Sequence, residues 1–265
     1  MPVNKPDLDN RPYVLTIAGF DPSAGAGVLS DIKCFEQHKV YGFGICTAHT
    51  VQTDTSFISC DWMEATQIIT QLKPLMDKFS IEACKIGLIK DTSVLLEVIS
   101  YIKYSNQHTK IILDPVLKSS SGFLFHNWEL SGLTAVLNLL DLITPNYLEM
   151  QRMGNSEKAE EMAGVWSEYC PVLLKGGHND KAPGTDFLFR ADNAVVEFPG
   201  SEGKVHQKHG SGCVLSASIT ANLALGFSLE QACRRAKHYT EHFLKSNESL
   251  LGYHSLSTKT NISDD

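Results

Sequence analysis

The segment Lys208-His209-Gly210-Ser211-Gly212-Cys213 runs into Val214-Leu215-Ser216-Ala217-Ser218-Ile219, a long helix start. Gly210 and Gly212 open the backbone, so successive N–H groups can converge on an anion. The helix dipole adds about half a positive charge at this end. The same field lowers a thiol pKa. Cys213 is therefore expected to be a thiolate more often than a free cysteine is, able to act as base toward a hydroxyl or as nucleophile. The alternative is a glycine-rich helix start over a buried cysteine.

Three further clusters carry polar groups. Gly19-Phe20-Asp21-Pro22-Ser23-Ala24-Gly25-Ala26-Gly27 permits close backbone approach to a ligand, with Asp21 as an acceptor for a polar substrate. It also reads as a plain strand-to-helix turn, and it is not the G-x-G-x-x-G of dinucleotide sites. Asp114 in Leu113-Asp114-Pro115-Val116, with Asn146 and Glu149 in Thr144-Pro145-Asn146-Tyr147-Leu148-Glu149, could hold Mg²⁺ through waters beside phosphates. Taken singly, Asp114 reads as a turn residue and Asn146 as a helix cap. Lys175 in Leu173-Leu174-Lys175-Gly176-Gly177-His178 could meet a phosphate as a point charge, or be an ordinary edge lysine. An anion hole, a lysine, carboxylates and a base are the parts that phosphoryl transfer needs, since that reaction is mostly positioning and charge neutralisation.

The elements that must position these groups are short apolar runs and amphipathic stretches. Tyr13–Ala18, Ile81–Ile86, Lys110–Leu113, Leu140–Thr144 and Pro171–Leu174 read as strands covered on both faces. Val28–His38, Met63–Phe79, Thr92–Tyr104, Ser211–Leu225 and Leu229–Ser246 read as helices. Thr185–Arg190 and Ala194–Pro199 read as an edge hairpin. The alternation predicts a three-layer α/β/α domain over residues 13–265, with a mainly parallel sheet, behind a polar tail of residues 1–12. All four clusters follow strands and so share the carboxyl rim of the sheet.

The 265 residues suffice for one sizeable core. Hydrophobic residues make up 43%, charged residues 20%, and the net charge is −7. That balance, without a basic run, argues against nucleic-acid and anionic-membrane partners. Seven scattered cysteines form neither a disulfide framework nor a zinc motif, and the compartment is expected to be reducing cytoplasm. The P-loop, the protein-kinase signature set and the G-x-S-x-G elbow are all absent. His238 and His242 read as a solvated helix face, and Ser119-Ser120-Ser121-Gly122 as a mobile loop.

Together, LTIAGFDPSAGAGVLSDIK, YGFGICTAHTVQT, KIGLI, ILDPVLKSSSG, LITPNYLEM, LLKGGH and HGSGC resemble the hydroxymethylpyrimidine/phosphomethylpyrimidine kinases of thiamine biosynthesis, within the ribokinase-like superfamily. The resemblance runs from about Tyr13 to about Tyr239. It implies a ribokinase-like fold, a homodimer, ATP and Mg²⁺. The implied reaction is phosphorylation of 4-amino-5-hydroxymethyl-2-methylpyrimidine and then of its monophosphate. By match, Gly19, Asp21, Gln52, Leu88 and Val116 would contact the pyrimidine. Gly210, Ser211, Gly212 and the Cys213 backbone would form the anion hole, and Cys213 would be the base. Lys175 would touch phosphate, and Asp114 and Glu149 would form the Mg²⁺ and phosphate side.

Phe20 is bulkier than the usual serine or threonine, Leu88 replaces methionine, and the Leu250–His254 end lacks the usual closing segment. Lys208 is also unusual and could add a nucleotide contact. A pyridoxal or pyridoxine kinase is the nearest rival reading. A non-catalytic binder on the same fold is another. A sugar kinase should have aspartate at position 213.

Overall fold

The computed structural model describes residues 11–119, 122–125, 130–178, 182–201 and 203–256. Residues 1–10 of the expected tail, and Ser120 and Ser121 of the expected loop, lie outside that set. The chain runs β1 (Tyr13–Phe20), α1 (Gly27–Gln37), β2 (Tyr41–Gln52), β3 (Phe57–Trp62), α2 (Ala65–Lys78), β4 (Ile81–Ile86), α3 (Thr92–Ser105), β5 (Lys110–Leu113) and α4 (Leu130–Leu137). It continues with β6 (Leu142–Ile143), α5 (Tyr147–Gly154), α6 (Ala159–Trp166), β7 (Val172–Leu174), β8 (Asp186–Phe189), β9 (Val195–Phe198), α7 (Ser211–Ala224) and α8 (Leu229–Leu244).

The nine strands form one sheet in the order β3-β2-β1-β4-β5-β6-β7-β8-β9. From β2 to β7 neighbours are parallel, and antiparallel strands close both edges. The chain leaves β1 for β2 on one side and returns to β4 on the other. That is the switch point where ligands collect in open α/β sheets.

Strand alternation separates two cores. Leu15, Ile17, Cys84, Ile86, Ile111 and Leu113 pack with residues of α2 to α6. Val14, Ala83, Ile112, Leu142 and Leu173 pack with α1, α7 and α8. Each fully buried Ile or Leu contributes about 1.5–3 kcal/mol by leaving water. Helix α7 is buried nearly all round, so no amphipathic stripe marks it, and small residues such as Ser216, Ala217, Ser218 and Ala221 let its neighbours approach.

The expected strands, helices and hairpin are all present: β4 and β5 have the expected bounds, β1 runs on to Phe20, and the ends of the others differ by a few residues. Strands β2 and β3 were not expected. Gly42 and Gly44 dilute the β pattern of β2, because a Cβ there would meet Phe35 at 2.6 Å and Val28 at 2.7 Å, both from α1. Strand β3 is an edge strand, half exposed and carrying Ser59 and Asp61.

Candidate active site

Gly210 caps α7 at φ +75°, and no side chain caps that helix. A Cβ on Gly210 would lie 2.1 Å from the Gly25 carbonyl oxygen, so only glycine lets these two loops touch. Gly27, at φ +61°, opens α1 under the same constraint, with the Gly19 oxygen 2.1 Å from its missing Cβ. The starts of α1 and α7 therefore converge. The backbone N–H of Gly27 favours the ionised form of Cys213, in the first turn of α7.

Lys175 completes the group. Its Nζ lies 3.3 Å from the point a Cβ on Gly212 would occupy, and it donates to Asp114 Oδ1 at 2.7 Å. Ser216 Oγ of α7 donates to Asp114 Oδ2 at 3.0 Å, and Thr144 Oγ1 donates to Oδ1 at 3.4 Å. Glu149 Oε2 stands 3.8 Å from the same ammonium. Period two explains the convergence. Ala83, Ile112, Leu142 and Leu173 face α1, α7 and α8, so Lys85, Asp114, Thr144 and Lys175, each two residues on, face the same way.

Burial alone would raise the Asp114 pKa, but the charges of Lys175 and Lys85 and the bonds from Lys175 and Ser216 hold it below the usual carboxylate range. Burial pushes Glu149 up to about 7, with Asp114 adding to the rise and Lys175 opposing it. Burial works against the Lys175 ammonium too, yet Asp114 and Glu149 outweigh it and keep Lys175 charged.

Burial pushes the Cys213 thiol above its ordinary range, and Lys85 and the Gly27 N–H offset only part of that, so the helix start does not by itself make a thiolate. The Asp21 carboxylate accepts from Ser23 N, Ser23 Oγ and Ala26 N, each at 2.9 Å, and pairs with His209 Nε2 at 2.9 Å. It braces the β1–α1 loop against the loop before α7. Asp114 accepts from Lys175, Ser216 and Thr144. Lys208 does not point to a nucleotide: its ammonium donates to Asn247 Oδ1 at 2.8 Å and to the Asn247 and Ser249 carbonyls. Glu149 has a structural duty as well. It accepts from Asn146 N at 2.8 Å while Asn146 Oδ1 accepts from Glu149 N at 2.9 Å, a capping box at the start of α5.

The other named residues line the rim at β1, β2, β4 and β5. A Cβ on Gly19 would sit 3.0 Å from Leu88 Cδ2, and Thr47 Oγ1 holds the Leu88 carbonyl at 2.5 Å. Gln52 Nε2 donates to Thr50 Oγ1, which donates to the Phe20 carbonyl, both at 2.8 Å. Val116 is half-buried just past β5, its N–H on the Asp114 carbonyl at 2.9 Å.

Sequence reasoning missed two groups. Lys85 is fully buried and donates to both oxygens of Asp31 at 2.7 Å, and Thr16 Oγ1 also donates to Asp31. A lysine inside the apolar run Ile81–Ile86 was the available signal. His209 was passed over as one of many histidines, and no sequence signal ties it to Asp21.

The family model described as phosphomethylpyrimidine kinase matches residues 21–258. A hydroxymethylpyrimidine/phosphomethylpyrimidine kinase of Staphylococcus aureus is 31% identical over 236 residues, covering 85% of each chain. The Haemophilus influenzae protein of the same name is 29% identical, covering 88% of this chain and 90% of that one. The crystal structure of a phosphomethylpyrimidine kinase from Clostridium difficile superposes with a TM-score of 0.72 at 27% identity, covering 87% of this chain and 98% of that chain. A Staphylococcus aureus pyridoxal kinase with ADP shares the fold, with a TM-score of 0.78 at 23% identity and 89% of each chain covered. The chain is a phosphotransferase and belongs to the phosphomethylpyrimidine kinase family.

Proposed function

We propose that this chain moves the γ-phosphoryl group of ATP to the hydroxymethyl group of 4-amino-5-hydroxymethyl-2-methylpyrimidine, and then phosphorylates the monophosphate. The observation that carries this reading is the meeting of Cys213, two uncapped helix starts and Lys175 at the switch point of the sheet, next to Gly19, Leu88 and Gln52.

In its thiolate form, its own proton having first gone to solvent, Cys213 takes the hydroxyl proton, so an O–H bond breaks and an S–H bond forms. The substrate oxygen then bonds to the γ-phosphorus while the bond to the ADP oxygen breaks. The N–H groups of Ser211, Gly212 and Cys213 are aimed where charge gathers on the moving phosphoryl group. Lys175 adds a point charge beside them. Gln52, oriented by Thr50, reads the ring nitrogen and amino group, and Leu88 and Val116 flank the ring.

Mg²⁺ supplies charge neutralisation on the nucleotide phosphates. Among the described residues no three His, Cys, Asp or Glu side chains gather as a metal cage. An ion held mostly by phosphates and water needs no such cage. Glu149 is the carboxylate that fits it, and Asp114 acts behind Lys175. We further propose a homodimer in the cytoplasm. Among the described residues no helix is long and apolar enough to cross a membrane.

A B6 vitamer is the second reading, favoured by the thiol, which can add reversibly to an aldehyde. Comparing kcat/KM for the pyrimidine and the three B6 vitamers separates the two. Cys213→Ala should lower kcat by about 10²–10⁴; near wild-type turnover would remove Cys213 as the base.

A further inference from the structure

Helix α8 ends at Leu244, and the chain then folds back to the loop before α7. The returning segment is fastened to its own helix. The Tyr253 N–H donates to Ser246 Oγ at 3.0 Å, and Tyr239 of α8 shares a 3.1 Å hydrogen bond with His254 Nδ1. Gly252 lies against Phe243, whose Cε2 would be 2.5 Å from a Cβ at that position. The segment is also tied internally, since Asn247 Nδ2 and Ser249 Oγ both donate to the Leu251 carbonyl at 3.0 Å.

Lys208 faces this segment and is only 3% exposed. An ammonium has three N–H donors. Here they meet the Asn247 carbonyl, the Ser249 carbonyl and Asn247 Oδ1, all within residues 247–249. The next residue continues the contact: the His209 N–H donates to the Leu250 carbonyl at 2.9 Å. His209 Cδ2 and Leu251 Cδ2 then both close on Gly25 of the β1–α1 loop, 2.5 Å and 3.0 Å from its missing Cβ. The residue after His209 is Gly210, the cap of α7. Two departures noted in the sequence, Lys208 and the Leu250–His254 end, are thus partners in the fold.

We propose that Lys208 and residues 247–251 form one clasp that fixes the first turn of α7, so that its N–H groups are already aimed when the phosphoryl group arrives. Such donors act fully only if they need not reorganise during the reaction. Gly210 and Gly212 give this loop its shape but also leave its backbone free, and no side chain caps the helix. The clasp supplies the missing restraint from outside the loop. Lys208 is a positioning residue, acting through His209 and Gly210.

The proposal rests on the α7 start being the anion hole, so its test reads the loop itself as well as turnover. Lys208→Met withdraws the ammonium, and Asn247→Ala withdraws one acceptor while both carbonyls stay. Hydrogen exchange is followed by mass on ligand-free, folded protein. Exchange at residues 209–214 should quicken in both variants, more in Lys208→Met, while strands β4 and β5 keep wild-type rates. With ATP and the pyrimidine, Lys208→Met should lower kcat by about 10- to 10²-fold, the loss a small misplacement causes. The pyrimidine KM should change little, because Gln52, Leu88 and Val116 lie outside the clasp. In the double variant the losses should not add, since both changes cut one contact. If Lys208→Met fails to fold, Asn247→Ala carries the same test with a smaller loss. Unchanged exchange at 209–214, unchanged kcat, or additive losses would overturn the proposal. Faster local exchange in the variants of a protein whose wild type transfers nothing to the pyrimidine would leave the clasp standing and remove the functional reading instead.

Discussion

Lys175 has two duties in this account, and they predict opposite effects on stability. A lysine that waits over solvent for a phosphate can be lost without harm to the fold. Here the side chain is 12% exposed and its partner Asp114 is 2% exposed, joined at 2.7 Å. Lys175→Met would leave Asp114 with Ser216, Thr144 and the more distant Lys85 charge. Breaking a buried pair from one side costs about 3–5 kcal/mol. The remaining Lys85 charge places this case near the low end, at about 3 kcal/mol. For a chain of this size that lowers Tm by on the order of 10 °C. Thermal and urea unfolding of ligand-free protein at pH 7.5 would measure it. Asp114→Asn combined with Lys175→Met should regain most of the loss, because no buried charge is then stranded. A Lys175→Met variant as stable as wild type, or a double variant no better than the single one, would refute the electrostatic picture of the site.

Two further variants test the other two carboxylates. Glu149 has a folded pKa near 7, above its ordinary 4.5, so the native state holds its proton more tightly than the unfolded chain does. Its contribution to stability is full below about pH 4.5 and is lost as pH rises through 7. Glu149→Gln should flatten that part of the stability profile in urea titrations and exceed wild type above pH 7; parallel profiles would contradict the raised pKa. Asp21→Asn should lower Tm and raise KM for ATP and pyrimidine together, since Asp21 ties two loops through His209. If only the pyrimidine KM rose, Asp21 would be a substrate contact after all.

The sheet and its rim were legible because apolar β-branched runs ending in glycine, aspartate or lysine mark parallel strands and their carboxyl ends. Cys213, Gly210 and Lys175 could be picked out for the same reason: their chemistry sits beside a backbone signal. Strand β2 was hidden because close packing against α1 requires Gly42 and Gly44, and those residues erase the β pattern. The partners of Asp21 and Asp114 were hidden for a different reason. His209 is 188 residues from Asp21, and Ser216 is 102 from Asp114, so only the fold pairs them. The thiol was misjudged because a helix start is readable in sequence, whereas the burial that opposes it is a tertiary property.

The central claim is a kinase that phosphorylates this pyrimidine twice at one thiol-containing anion hole. The most direct measurement incubates the purified chain with ATP, Mg²⁺ and 4-amino-5-hydroxymethyl-2-methylpyrimidine, and resolves mono- and diphosphorylated products by mass. The account predicts monophosphate first, pyrophosphate later, and loss of both in Cys213→Ala. ATP turnover with pyridoxal but none with the pyrimidine, or pyrimidine binding without transfer, would contradict it.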